Sequence, residues 1–180
     1  MDTISKIKRE IHRFSIHEFA FLKPDEVIFS DEVRDLCKKN TCRMYGTSWA
    51  CPPAVGRIEE CKAQCLRYQH AFLFTTLSKT KNKFDLEGWK RAHLAHEKIT
   101  DEVAEVFRFY DTDALVLSAE GCRLCKKCTY PESPCTFPDR MHPATEGFGI
   151  LVIQQAKACG IKYYNGPNTV TYFSMDFLNG

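Results

Sequence analysis

Two patterns of apolar positions organise the middle of the chain. His70 to Leu77 (HAFLFTTL) and Ala114 to Ala119 (ALVLSA) are near-continuous apolar runs of strand length, the pattern of strands covered on both faces. Between them, Trp89, Ala92, His96, Ile99, Val103, Val106 and Tyr110 recur at spacings of three and four, which predicts a long amphipathic helix from about Phe84 to Tyr110. Strand, helix and strand in that order predict a βαβ unit with a right-handed crossover. Thr145 to Ala158 reads as a further helix, with Thr145 as its cap and Gly160 just past its end. Ile161 to Tyr164 and Val170 to Phe177 read as strands on either side of the turn Asn165-Gly166-Pro167-Asn168. Upstream, Glu26 to Ser30 reads as a short strand, Asp31 to Cys37 as a helical turn and Arg57 to Arg67 as a short helix. The expected fold class is α/β: a small, mostly parallel sheet of about four strands with packed helices and two cysteine-rich metal-binding loops.

Length and composition narrow the class. A chain of 180 residues is expected to form a single domain over 1–180. Its 44% hydrophobic and 27% charged residues suit a globular chain and exclude a disordered or fibrous one. Lysine plus arginine (25) nearly balance aspartate plus glutamate (23), and the net charge of +2 gives no strong field for nucleic acid or an anionic membrane. No apolar run approaches the ~20 residues that span a bilayer, and MDTISKIKRE has no apolar stretch of the signal-peptide kind. The expectation is a cytoplasmic protein that binds neither nucleic acid nor membrane.

Cysteine changes the picture. Of ten cysteines, five lie between Cys37 and Cys65, four between Cys122 and Cys135, and Cys159 stands alone. In a reducing compartment such clusters point to metal or redox chemistry rather than to disulfides. The second group is the more specific. Cys122, Cys125 and Cys128 form one C-x2-C-x2-C run, followed by Cys135 and Pro138. Zinc sites use such spacings in separated pairs. Three thiolates in one run with a fourth further on suit an iron–sulfur cubane better, although the last spacing is longer than in the ferredoxin run. Arg123, Lys126 and Lys127 fit the negative charge that four thiolates would carry.

The first group holds Cys37, Cys42 and Cys51 in CKKNTCRMYGTSWACPP, an irregular stretch marked by Gly46 and Pro52-Pro53. Cys61 and Cys65 are four apart on the short helix, a core-like spacing with Ile58. A closed site needs a fourth donor. Cys61, near the positive end of that helix, is expected to complete Cys37, Cys42 and Cys51, with Cys65 left to the core.

These two strings, CKKNTCRMYGTSWACPP…GRIEEC and GCRLCKKC…CTFPDRMHPATEGFG, resemble a family of predicted metal-binding proteins known only as a domain of unknown function, number twenty-two eighty-four. The resemblance runs from about Asp31 to the C-terminus. It implies metal binding, with iron–sulfur as the expected form, and carries no reaction with it. Family members have serine, methionine and glutamate where this chain has Ala144, Thr145 and Glu146, so Glu146 is matched and any hydroxyl role there falls to Thr145.

Three functions follow. The first is a protein with two 4Fe–4S clusters that passes electrons between redox partner proteins. The second is an enzyme in which Cys37, Cys42 and Cys51 alone hold one cluster, Cys61 stays buried, the open iron acts as Lewis acid, and Glu146 or His142 is acid or base. The third is a structural zinc module supporting an interaction surface. Asp139, His142 and Glu146 are candidates to line a pocket beside the second group, with Gly147 and Gly149 allowing close approach. His93 and His96 read as packed or surface histidines and Cys159 as an inert thiol. There is no phosphate-binding loop, no GxGxxG after a strand and no Gly-x-Ser-x-Gly.

Overall fold

A computed structural model describes residues 3–179. The elements are α1 (Thr3–Ile11), β1 (Phe19–Leu22), α2 (Asp31–Lys38), α3 (Ile58–Cys65), β2 (His70–Lys79), α4 (Leu86–Tyr110), β3 (Leu115–Leu117), α5 (Val152–Ala158) and β4 (Thr169–Leu178), with single 3-10 turns at Pro24–Glu26 and Glu146–Phe148. The long helix starts where the sequence can cap it. The Asp85 carboxylate accepts from the Gly88 amide, a donor that the first turn leaves free, and from the Lys81 amide in the loop before it, both at 2.9 Å.

The four strands form one sheet in the order β1-β2-β4-β3, and every pairing is antiparallel. This corrects the expectation of a mostly parallel sheet. The helix α4 does link two strands that point the same way. However, β4 runs between them in the opposite direction, pairing along its length with β2 (His70↔Leu178 to Lys79↔Thr169) and, at one end, with β3 (Leu115↔Phe177). The result is a split βαβ arrangement. The apolar runs reported double-sided burial correctly, because both faces are covered. They carry no information on the direction of the neighbouring strand, which the last ten residues of the sheet supply.

Alternation along β2 divides its side chains between two cores. Ala71 and Leu73 join Leu117, Met175, Phe177, Ile150, Ala156, Cys61 and Cys65 on the face covered by α3 and α5. Phe72 and Phe74 join Ile7, Ile11, Val103 and Phe107 on the face covered by α1 and α4. Phe72 packs against Phe21, Phe107 and Phe74 at ring separations of 4.7, 5.3 and 5.5 Å. His96 lies in this layer as expected, between Thr76 and Ser174 at 2.8 Å each. Burial pushes it down to about 3, so it is neutral at physiological pH.

Local readings differ in three places. Residues 161–164 form no strand, and Glu26 to Ser30 contributes only a bridge, Phe29 to Ile150. The helix expected from Thr145 is broken: a 3-10 turn ends at Gly149 (φ +86°), and α5 begins at Val152. Thr145 does not cap it, because its hydroxyl donates to the Ser118 carbonyl at 3.1 Å.

Asp176, near the C-terminal end of β4, is fully buried on the Phe72 face, and neither carboxylate oxygen has a partner. Desolvation raises its carboxyl well above the ordinary value. The native state therefore keeps a proton that the unfolded chain releases above about pH 4. Stability from this group is full below that pH and falls as pH rises, with a slope approaching about 1.4 kcal/mol per pH unit. Urea unfolding of the parent and of Asp176→Asn at pH 4.5, 5.5 and 6.5 is expected to show that extra slope in the parent alone. Equal slopes would show that the carboxyl is not held protonated.

Candidate metal centres

Both cysteine groups converge on the carboxyl end of β3. The Ser118 amide donates to the Pro143 carbonyl and the Thr145 amide to the Ser118 carbonyl, both at 2.9 Å, so the 143–145 segment lies alongside the strand end. The Ala144 amide in turn donates to the Ala50 carbonyl at 2.8 Å, which brings in the first cysteine segment. Glu120, at φ +56°, turns the chain sharply out of the sheet into the second group. A side chain in that left-handed region costs on the order of 1 kcal/mol.

The first cavity, of about 440 Å³, is lined by Cys37, Cys42 and Cys51 together with Met44, Tyr45, Glu120, Arg123 and Glu146. Cys37 comes from the last turn of α2, which Ser30 caps by accepting from the Glu32 amide at 3.2 Å. Cys42 and Cys51 come from the following loop, folded by the Gly46 amide on the Pro52 carbonyl at 2.9 Å and the Tyr45 amide on the Asn40 carboxamide oxygen at 3.0 Å. Gly147 packs against that loop: a Cβ there would be 3.2 Å from the Ala144 Cβ and 3.4 Å from both the Ala50 carbonyl and Pro52. Burial pushes the Cys51 thiol up to about 12, with the neighbouring thiols Cys42, Cys37 and Cys122 adding to the rise. Burial also raises Cys37, against the opposing pull of Arg34. A bound cationic centre would reverse this, since a coordinating thiol is deprotonated.

Cys61 is elsewhere. It is 1% exposed in the core on the α3 face, and its thiol donates to the Val55 carbonyl at 3.3 Å. It does not line the first cavity. Cys65 is core, as expected, and Cys159 is half-buried at the end of α5.

The second cavity, of about 710 Å³, is lined by Cys122, Cys125, Cys128 and Cys135. These four are half-buried in a loop that has no helix or strand between Glu120 and Met141. The first segment pins it. The Trp49 indole donates to the Ser133 carbonyl at 3.1 Å, and its ring meets Tyr130 edge-on at 4.9 Å. Cys42, Met44 and Arg123 belong to both cavity walls. Gly121 sits between the two groups, where a Cβ would come within 2.5 Å of Met44 and 3.4 Å of the Cys51 sulfur. The two cysteine groups are therefore neighbours.

Of the three pocket candidates, Glu146 lines a cysteine cavity, and it is the first rather than the second. The cavity gives its carboxylate a path to solvent while protein closes round it, and this desolvation raises it. Asp139 is exposed and lines neither cavity. His142 is buried, with its Nε2 2.7 Å from Asp101 on α4. His93, read as a packed or surface histidine, is buried with Nε2 3.2 Å from the Ala119 carbonyl, and it also reaches the second cavity wall.

Sequence reasoning missed Arg34, whose guanidinium donates to the Gly147 and Gly56 carbonyls at 2.7 and 2.6 Å and so joins α2 to the Glu146 turn. No pattern in the chain marks that role. Met44, Tyr45 and Trp49 lay inside the singled-out string, but only the fold shows which of them face the thiols.

Among the described residues, no three histidine, cysteine or acidic side chains meet at one point as a ready single-ion site. The thiols instead stand around the two cavities, three at the first and five at the second with Cys42 in both walls, a donor set that fits a thiolate-bound metal group. No helix among those residues is long and apolar enough to cross a membrane. No curated protein and no solved structure matches the chain. Comparison with known families matches residues 20–178 to the one described as "Predicted metal-binding protein (DUF2284)". That match covers nearly the whole chain, and with it the chain belongs to this family of predicted metal-binding proteins of unknown function.

Proposed function

We propose that this is an iron–sulfur protein with two adjoining 4Fe–4S sites of different character. The second, with Cys122, Cys125, Cys128 and Cys135, is a closed four-thiol electron-transfer site. The first, with Cys37, Cys42 and Cys51, keeps one position free for a small ligand. The observation that carries this reading is the spread of seven thiols over two cavities with a shared wall, Cys37, Cys42 and Cys51 at the first and Cys122, Cys125, Cys128 and Cys135 at the second, with Cys42 reaching both. A lone zinc ion draws its thiolates to about 3.8 Å from one another, given Zn–S near 2.3 Å. A cubane takes one thiolate at each of several corners, which suits thiols standing round a space. When bound, such a group supplies electrons and, at a free corner, Lewis acidity.

The chain's own residues define the rest. Cys61 does not line the first cavity, which favours an open position there over closed four-cysteine ligation. Glu146 and Tyr45 face the same space and offer an acid or hydrogen-bond donor to a ligand within it. The Glu146 turn is braced by Arg34. A wall shared through Cys42, Met44 and Arg123 makes the two sites adjacent, which an electron path needs.

Iron, zinc and acid-labile sulfide on protein purified without oxygen test the reading. About eight irons and eight sulfides per chain are expected. One or two zincs without sulfide would overturn it in favour of a structural metal module.

A further inference from the structure

The second cavity has a wall of one-sided charge, while Glu87 and Glu120 line the neighbouring cleft beyond Lys90 and Arg123. The wall of the second cavity carries Lys90 from α4 and Arg123, Lys126 and Lys127 from the cysteine loop, and no aspartate or glutamate. All four cations are exposed. Arg123 is paired with Glu120 at 3.1 Å. The ion pairs among the described residues leave Lys90, Lys126 and Lys127 without a carboxylate. Apolar surface lies on the same wall: Leu94, one turn from Lys90 along α4, is 53% exposed and Phe137 is 39% exposed. In a chain of net charge +2 this is a local concentration of cations and not a property of the whole surface.

We propose that this face is the docking site of a small acidic electron-carrier protein, whose carboxylates meet Lys90, Lys126 and Lys127 and whose apolar centre covers Leu94 and Phe137. The proposal rests on reading the second cavity as a four-thiol iron–sulfur site. Charge complementarity selects the occupant. Weak redox encounters use small interfaces, with unpaired charges steering the approach more than they tighten the complex. Three lysines on separate flexible stems around an open mouth lack the converging fork that holds one small anion. They also fall short of the run of phosphate contacts that nucleic acid takes. Docking here brings a carrier over Cys125 and Cys128, the thiols that flank Lys126 and Lys127.

The test is a binding titration of the metal-loaded protein with a small acidic ferredoxin at low and high salt, with a short DNA duplex run in parallel. Affinity for the ferredoxin is expected to fall at least about tenfold from 50 to 300 mM salt. Lys126→Glu/Lys127→Glu is expected to weaken it by about tenfold or more, with iron and sulfide unchanged. Lys90→Glu, on a helix and remote in sequence from every cysteine, is expected to weaken it several-fold and keeps the test intact if the double variant loses metal. Binding indifferent to salt and to these reversals overturns the proposal. So does a reversal that shifts only the reduction potential, since the lysines would then serve the bound group. Equal binding of the duplex assigns the face to nucleic acid and overturns it too. Zinc without sulfide in the metal assay removes the iron–sulfur reading itself, a failure visible before any titration.

Discussion

A Cys125→Ser protein is expected to hold about four irons and four sulfides per chain in place of about eight. Cys125 is the middle thiol of the C-x2-C-x2-C run and lines the second cavity with Cys122, Cys128 and Cys135. The loop that carries them has little else to order it. Between Glu120 and Met141 there is no helix or strand, and the Trp49 and Thr129 hydrogen bonds are among the few that hold it. A structural metal can contribute about 10–16 kcal/mol of coupled folding energy, as much as the whole net stability of a typical domain, about 5–15 kcal/mol. Loss of the second site is therefore expected to loosen residues 121–148, read as faster amide exchange there. The segment reaches Ala144 and Glu146, so some loosening of the first cavity wall should follow. Full iron in the variant would remove Cys125 from the ligand set.

The second large effect separates an open first site from a closed one. Cys51→Ser is expected to lose the first site's iron, because its thiol lines the first cavity with those of Cys37 and Cys42. Cys61→Ala is expected to keep it and to lose only core packing, on the order of 1 kcal/mol. Iron per folded chain reads the first effect and urea unfolding the second. If Cys61→Ala remains folded but drops to about four irons, Cys61 is the fourth ligand, the site is closed, and the Lewis-acid role at a free corner is lost.

The elements with strong local patterns were legible. The stripe from Trp89 to Tyr110 placed α4 to within two residues at its start, and HAFLFTTL placed most of β2. The first helix and β1 were not singled out. β1 is a four-residue strand, FAFL, half-buried along its length, and depends on pairing with β2 for its identity. The broken helix after Thr145 has a similar cause. Gly147 and Gly149 weaken its start, and the Thr145 hydroxyl and amide are both taken by Ser118, and the Leu151 amide by Ile28. Tertiary hydrogen bonds overrode a plausible local choice.

By itself the sequence determined where the cysteines cluster, in two separate groups, and the buried runs that make the scaffold. Such features rest on residue type and short spacing, which act within a few residues. Strand direction, the placement of Cys61 in the core and the shared wall of Cys42, Met44 and Arg123 were decided by tertiary structure alone. Each of these depends on segments far apart in the chain meeting at one place, as β4 does when it pairs between β2 and β3. No local pattern records which distant partner a strand or thiol will find, because that choice is made by the packing of the whole.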